Sequence, residues 1–89
     1  MANQEFINRI NGYFTQLQHL PKEEQENIHA EFMTIAFQVV AAANLHALSE
    51  TLTKALQTAD KYPEEHMAHT IFKETAEHIM AAIMIRVLP

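Results

Sequence analysis

Apolar positions in the first twenty residues recur at spacings of three and four. Phe6, Ile10, Tyr13, Phe14, Leu17 and Leu20 fall on one stripe of a helical wheel that turns ~100° per residue. Asn8, Gly12, Thr15 and His19 fall on the other side. The pattern predicts a helix from about Asn3 to His19, with Asn3 as its N-cap. Gly12 lies on the wet side, where it costs the helix about 1 kcal/mol against alanine without ending it. Pro21 stops this helix and suits the start of the next. Glu23 and Glu24 follow in the first turn, where the helix dipole favours negative charge. The same grammar returns at Tyr62-Pro63-Glu64-Glu65 and predicts a last helix from Pro63 to about Leu88.

Between these two starts, residues 22–60 hold neither glycine nor proline, yet the apolar pattern changes sides. Ile28, Phe32, Ile35, Ala36, Val39 and Ala43 share one stripe; Leu45, Leu48, Leu52, Leu56 and Ala59 share another, roughly opposite. Two architectures fit. A break near Asn44–Ser49, with Ser49 capping a new helix, gives a four-helix bundle. A continuous helix of ~58 Å packs its halves against different neighbours and implies an intertwined dimer. The break is the preferred reading, by a small margin.

In the last segment Met67, Ile71, Phe72, Ile79, Ala82 and Ile83 form a core face. The other side is polar at first, with His66, Lys73 and Glu77, and then apolar, with Met80, Met84 and Val87. A helix end that is apolar nearly all round is either central in a core or covered by another chain. Met80, Met84 and Val87 are therefore the candidate partner or dimer surface, with plain core packing as the alternative.

Composition narrows the class. The chain has 89 residues, one glycine, three prolines and no cysteine. That favours an all-α single domain of three or four helices spanning 1–89, without disulfides. A chain of this size folds with a thin margin, and metals or self-association are the remaining supplements. A homodimer is expected from the two-sided C-terminal helix and the switched central stripe. The net charge is −5 and the six basic residues are scattered, so no nucleic-acid footprint forms. No stretch is long and apolar enough to span a bilayer, and the first residues lack the pattern of a signal peptide. A cytoplasmic protein is expected.

Six histidines are the chain's most unusual chemistry: His19, His29, His46, His66, His69 and His78. His66 and His69 stand at i and i+3, with Glu65 four residues before His69. They are the candidate ligands for a divalent metal, although a structural zinc site needs four and no local residue completes the set. The plainer reading is a solvated helix face, and the expected cofactor is none. Glu26 and His29 have the Glu-x-x-His spacing of di-metal bundles, but only one copy exists. His46 lines up with Ile28, Ile35 and Val39 if the helix continues, which would half-bury it and make it a pH-sensitive candidate. The plainer reading is a core or edge histidine bonded to a carbonyl. His78 pairs with Glu74 at i−4 and needs no functional explanation. Protonating all six would move the formal charge from −5 to +1, so assembly or stability is expected to change between about pH 7 and pH 5.

Material for catalysis is scarce. Ser49 is the only serine and Asp60 the only aspartate, and no glycine-rich loop could cradle phosphate. The expected function is non-catalytic: an acidic protein–protein interaction module, acting as regulator, adaptor or inhibitor through a helical surface, with another protein or its own copy as partner. A metal-binding or pH-sensing helical protein is the alternative.

Overall fold

The long stretch without glycine or proline is broken once, by Asn44. A computed structural model describes residues 2–88, leaving aside the side chains of residues 2–7 and 9, so Phe6 and the expected Asn3 cap lie outside the described side chains. The chain forms four helices and, among the described residues, no strand: α1 (Ala2–Leu17), α2 (Lys22–Ala41), α3 (Leu45–Asp60) and α4 (Met67–Val87). Asn44 is extended, and its side-chain oxygen accepts from the Ala47 amide at 2.8 Å. That bond satisfies one of the amides a helix start leaves open. Of the two architectures, the broken one is present. Its cap is Asn44 rather than Ser49, whose carbonyl instead accepts from the Thr53 hydroxyl inside α3.

The last helix also starts later than expected. Pro63 to His66 form a turn closed by the His66 amide on the Pro63 carbonyl at 2.9 Å. His66 is extended, and its Nδ1 accepts from the Ala68 amide at 3.0 Å. The proline and its two glutamates therefore belong to the corner, and an imidazole begins α4. The first start matches its grammar more closely. The Pro21 carbonyl accepts from the Gln25 amide, and Glu23 and Glu24 occupy the first turn of α2.

Backbones approach most extensively along α3 and α4. The residues that make this possible are small. α3 buries Leu48, Thr51, Ala55, Thr58 and Ala59; α4 buries Ala68, Ile71, Phe72, Thr75, Ala76 and Ile79. The buried threonines would leave polar atoms in the core, but each hydroxyl donates to the carbonyl four residues earlier. Thr51 reaches Ala47, Thr58 reaches Lys54 and Thr75 reaches Ile71, all at 2.8 Å. Each thus presents its methyl to the neighbouring helix at no unmet hydrogen bond. The expected leucine stripe of α3 is corrected accordingly. Leu48 and Ala59 are buried, Leu52 is half-buried, and Leu45 and Leu56 are exposed.

The other two helices attach through larger groups. α2 contributes Ile28, Phe32 and Ile35 to the core, and α1 contributes Ile10 and Leu17. The Phe14 ring of α1 meets Phe32 edge-on, with centroids 5.1 Å apart, and Phe32 lies 6.4 Å from Phe72 of α4. Phe72 stacks on Tyr62 at 6.2 Å, and Tyr62 lies 5.2 Å from the His66 ring. A string of rings therefore runs from α1 through α2 and α4 to the α3–α4 corner. Such pairs contribute ~0.5–1.5 kcal/mol each beyond area burial.

Two stability measurements check this packing. Nothing lies within 4 Å of a methyl placed on Gly12. Gly12→Ala is expected to raise stability by about 0.5–1 kcal/mol and the melting temperature by several degrees. Ala55 is fully buried, whereas Leu56 is partly exposed. Ala55→Leu is expected to cost ~1–3 kcal/mol by overpacking, more than Leu56→Ala, as read from urea denaturation; the reverse order would place the leucine stripe back in the core.

Candidate functional site

Six residues connect α3 to α4, and so short a corner strands backbone groups that need partners. The two histidines singled out by their spacing supply them. His66 Nδ1 accepts from the Ala68 amide, so that nitrogen carries no hydrogen. Its Nε2 then carries the hydrogen and donates to Glu24 Oε1 on α2. His69 works the other way: its Nδ1 donates to the Ala59 carbonyl at 2.9 Å and lies 3.2 Å from the Tyr62 carbonyl. One imidazole thus caps the start of α4, and the other caps the end of α3.

That division of labour bears on the metal reading. Both nitrogens of His66 are engaged, Glu65 is exposed, and the two imidazoles face opposite helix ends. Among the described residues, no three His, Cys, Asp or Glu side chains are grouped so as to hold a metal ion. His29 is exposed and packs its ring against Phe14 at 5.3 Å.

Tyr62 completes the corner. Its hydroxyl donates to Glu31 Oε2 at 3.1 Å, and Lys61 Nζ stands 3.5 Å from the other oxygen of the same carboxylate. Burial, then the charge and hydrogen bond of Glu31, then the charge of Glu24, push the phenol up from 10.0 to about 12. Glu24 and Glu31 of α2 therefore tie the corner down from one side.

His46 is corrected by the helix break. It lies in the first turn of α3, its side chain is 84% exposed, and Nε2 stands 3.1 Å from Glu50. Because the helix restarts at Leu45, the register that aligned His46 with Ile28 and Val39 does not carry across. Ala43 falls in the linker and is exposed for the same reason.

The second region lies at the opposite end of the α3–α4 pair. The α2–α3 linker and the end of α4 meet there: Arg86 Nη1 donates to the Ala43 carbonyl at 3.0 Å. No described residue from Ala36 to Ala47, or from Met80 to Leu88, is fully buried. Yet this end carries eight of the nine large apolar side chains that are exposed among the described residues: Phe37, Val40, Leu45, Met80, Met84, Ile85, Val87 and Leu88. Met84 is 59% exposed, Ile85 75% and Val40 86%. The three residues marked by sequence, Met80, Met84 and Val87, all sit here and all face outward. Phe37 and Val40 escaped notice, although both fall away from the stripe of Ile28, Phe32 and Ile35, which is the signal that could have found them. A recess of ≈ 410 Å³ between α2 and α3 opens at the same end, lined by Ala41, Ala42 and Ala47 and also by the polar Gln38, Glu50, Thr51 and Lys54.

Among the described residues, no helix is long and apolar enough to cross a membrane. No family model matches the chain, and no curated protein or solved structure matches it.

The phenol of Tyr62 gives a direct test of the corner. A raised phenol stabilises the fold below pH 10, and that contribution is lost as pH rises through about 12. The tyrosinate signal removed by Tyr62→Phe is expected to develop near pH 12 while the helices persist. Development near pH 10 would mean that Tyr62 is neither buried nor held by Glu31.

Proposed function

We propose that this chain is a small acidic protein–protein interaction module that works through the apolar end of its bundle and without catalysis. One observation carries the reading: eight large apolar side chains lie exposed toward one end of the bundle, beyond the last fully buried residues of α2 and α4. Exposed apolar surface of this extent marks an interaction site in a soluble domain. Methionine suits such a surface, because its unbranched side chain adapts to the shape it meets. Regulator, adaptor and inhibitor are the roles open to a domain of this kind, and self-association as a homodimer belongs to the same reading.

The chemistry elsewhere supports a binding role over a catalytic one. His66 and His69 are spent on helix ends at the corner, and His46 lies in solvent. The corner's carboxylates hold Tyr62, Lys61 and His66 in place.

Met84→Glu tests the assignment, because it places a charge in the middle of the exposed run of α4. The wild-type chain is expected to show either a mass above the monomer or binding of a hydrophobic reporter dye. Met84→Glu is expected to reduce whichever is present several-fold, with the far-UV circular dichroism unchanged. If neither property is present, or if both survive the substitution, the apolar end is not the working surface.

A further inference from the structure

Gly12 is the chain's only glycine, and it follows Asn11. No close approach requires it, because nothing lies within 4 Å of a methyl placed there. Both residues are exposed, so water reaches the pair on the open side of α1. An asparagine side-chain amide can be attacked by the backbone nitrogen of the next residue. Glycine obstructs that attack least, since it has no Cβ. Asn3, Asn8, Asn27 and Asn44 all precede residues that carry one. The helix stands against the reaction. Inside α1 the Gly12 amide is bonded to the carbonyl four residues back. The Asn11 carbonyl also accepts from the Thr15 hydroxyl at 3.0 Å. Attack needs the nitrogen released and aligned with the side-chain carbon, so this turn of helix must open first.

From this placement we infer that Asn11–Gly12 is a site of spontaneous deamidation, that α1 holds it back, and that its product divides α1. The Gly12 nitrogen bonds to Asn11 Cγ while its proton passes through water to the departing Nδ2, and ammonia leaves. Water then opens the cyclic imide at either carbonyl. Opening at Cγ gives aspartate; opening at the backbone carbonyl gives isoaspartate, whose main chain runs through Cβ and Cγ. One water is consumed and one ammonia released, with no change of oxidation state. Either product adds a negative charge to a net of −5. Isoaspartate also lengthens the backbone by one atom, so regular helical bonding cannot run across position 11. The break falls between Ile10 and Leu17, the fully buried residues among the described side chains of α1. Phe14, edge-on to Phe32, stays with the Leu17 part. The turns before Asn11 lose the helix that holds Ile10 in the core.

The experiment follows the full chain by peptide mapping and mass spectrometry during incubation in mildly alkaline buffer, folded and in urea. The unfolded chain is expected to convert Asn11 ahead of the other asparagines. It is expected to do so more than about tenfold faster than the folded chain, because the folded rate follows the open fraction of α1. Gly12→Ala is expected to bring Asn11 in urea down to the rate of Asn8 and Asn27. Leu17→Val keeps the Asn–Gly pair but loosens an anchor of α1, and is expected to raise the folded rate several-fold. Urea below the unfolding transition is expected to act in the same direction without any variant. The isoaspartyl form, separated by ion exchange, is expected to lose helicity and to exchange its amides faster before position 11. Equal rates in the folded and unfolded chains overturn the gate. Conversion in urea that ignores Gly12→Ala overturns the site, and an isoaspartyl form of unchanged helicity overturns the division of α1.

Discussion

The close pairing of α3 with α4 is the constraint on which the remaining structure depends. Two helices can approach closely only where their facing side chains are short, and Ala55, Ala59, Ala68 and Ala76 meet that requirement. Thr51, Thr58 and Thr75 meet it by returning their hydroxyls to their own helices. Short side chains bury little area each, so large groups from outside the pair must join Leu48, Ile71, Phe72 and Ile79 in the core. Phe32, Ile28 and Ile35 of α2, with Ile10 and Leu17 of α1, supply them. The core therefore forms where all four helices can reach it, over Leu48–Ala59 of α3 and Ala68–Ile79 of α4. Beyond it, Ala36, Val39, Ala42 and Ile83 are only partly buried against that core, and the larger apolar side chains around them are exposed.

The α3–α4 corner shows how a suggestive spacing can serve a local purpose. The Lys61 and Tyr62 amides close the end of α3 on the Thr58 and Ala59 carbonyls, and the two imidazoles add to what the backbone supplies. His66 and His69 take opposite hydrogen-bonding roles, one accepting and one donating, which a neutral imidazole can do in either of its two tautomers. Tyr62 and Glu31 hold the same corner from the side, and the raised phenol is the electrostatic trace of that contact.

Much of this architecture was legible in the residue pattern, and its failures have physical causes. The first two helices and the outward Met80, Met84 and Val87 follow from simple periodicity, because side chains at helical spacing must share a face. The position of the break was legible, but its cap was not. Asn44 and Ser49 are both good cap residues, and the structure uses Asn44, four residues before the buried Leu48. The α3 stripe misled because leucines outweigh threonines on any scale of hydrophobicity, whereas close packing against α4 selects for small volume. His46 misled because its burial presumed a continuous helix. The roles of His66 and His69 were illegible in principle, since a cap is recognised by which backbone groups the turn leaves open.

The unburied last two turns of α4 have a consequence for how binding and folding relate. Ile83, Ile85 and Val87 are branched at Cβ, which lowers helix propensity, and no fully buried contact holds these turns in place. With few buried contacts to hold them, these turns can fray without unfolding the α3–α4 core. Within the single chain they are helical through Val87 and closed by the Leu88 amide on the Met84 carbonyl, so a partner would meet a helix already formed. Fraying there would leave intact the hydrogen bonds by which His66 and His69 cap α4 and α3 at the corner.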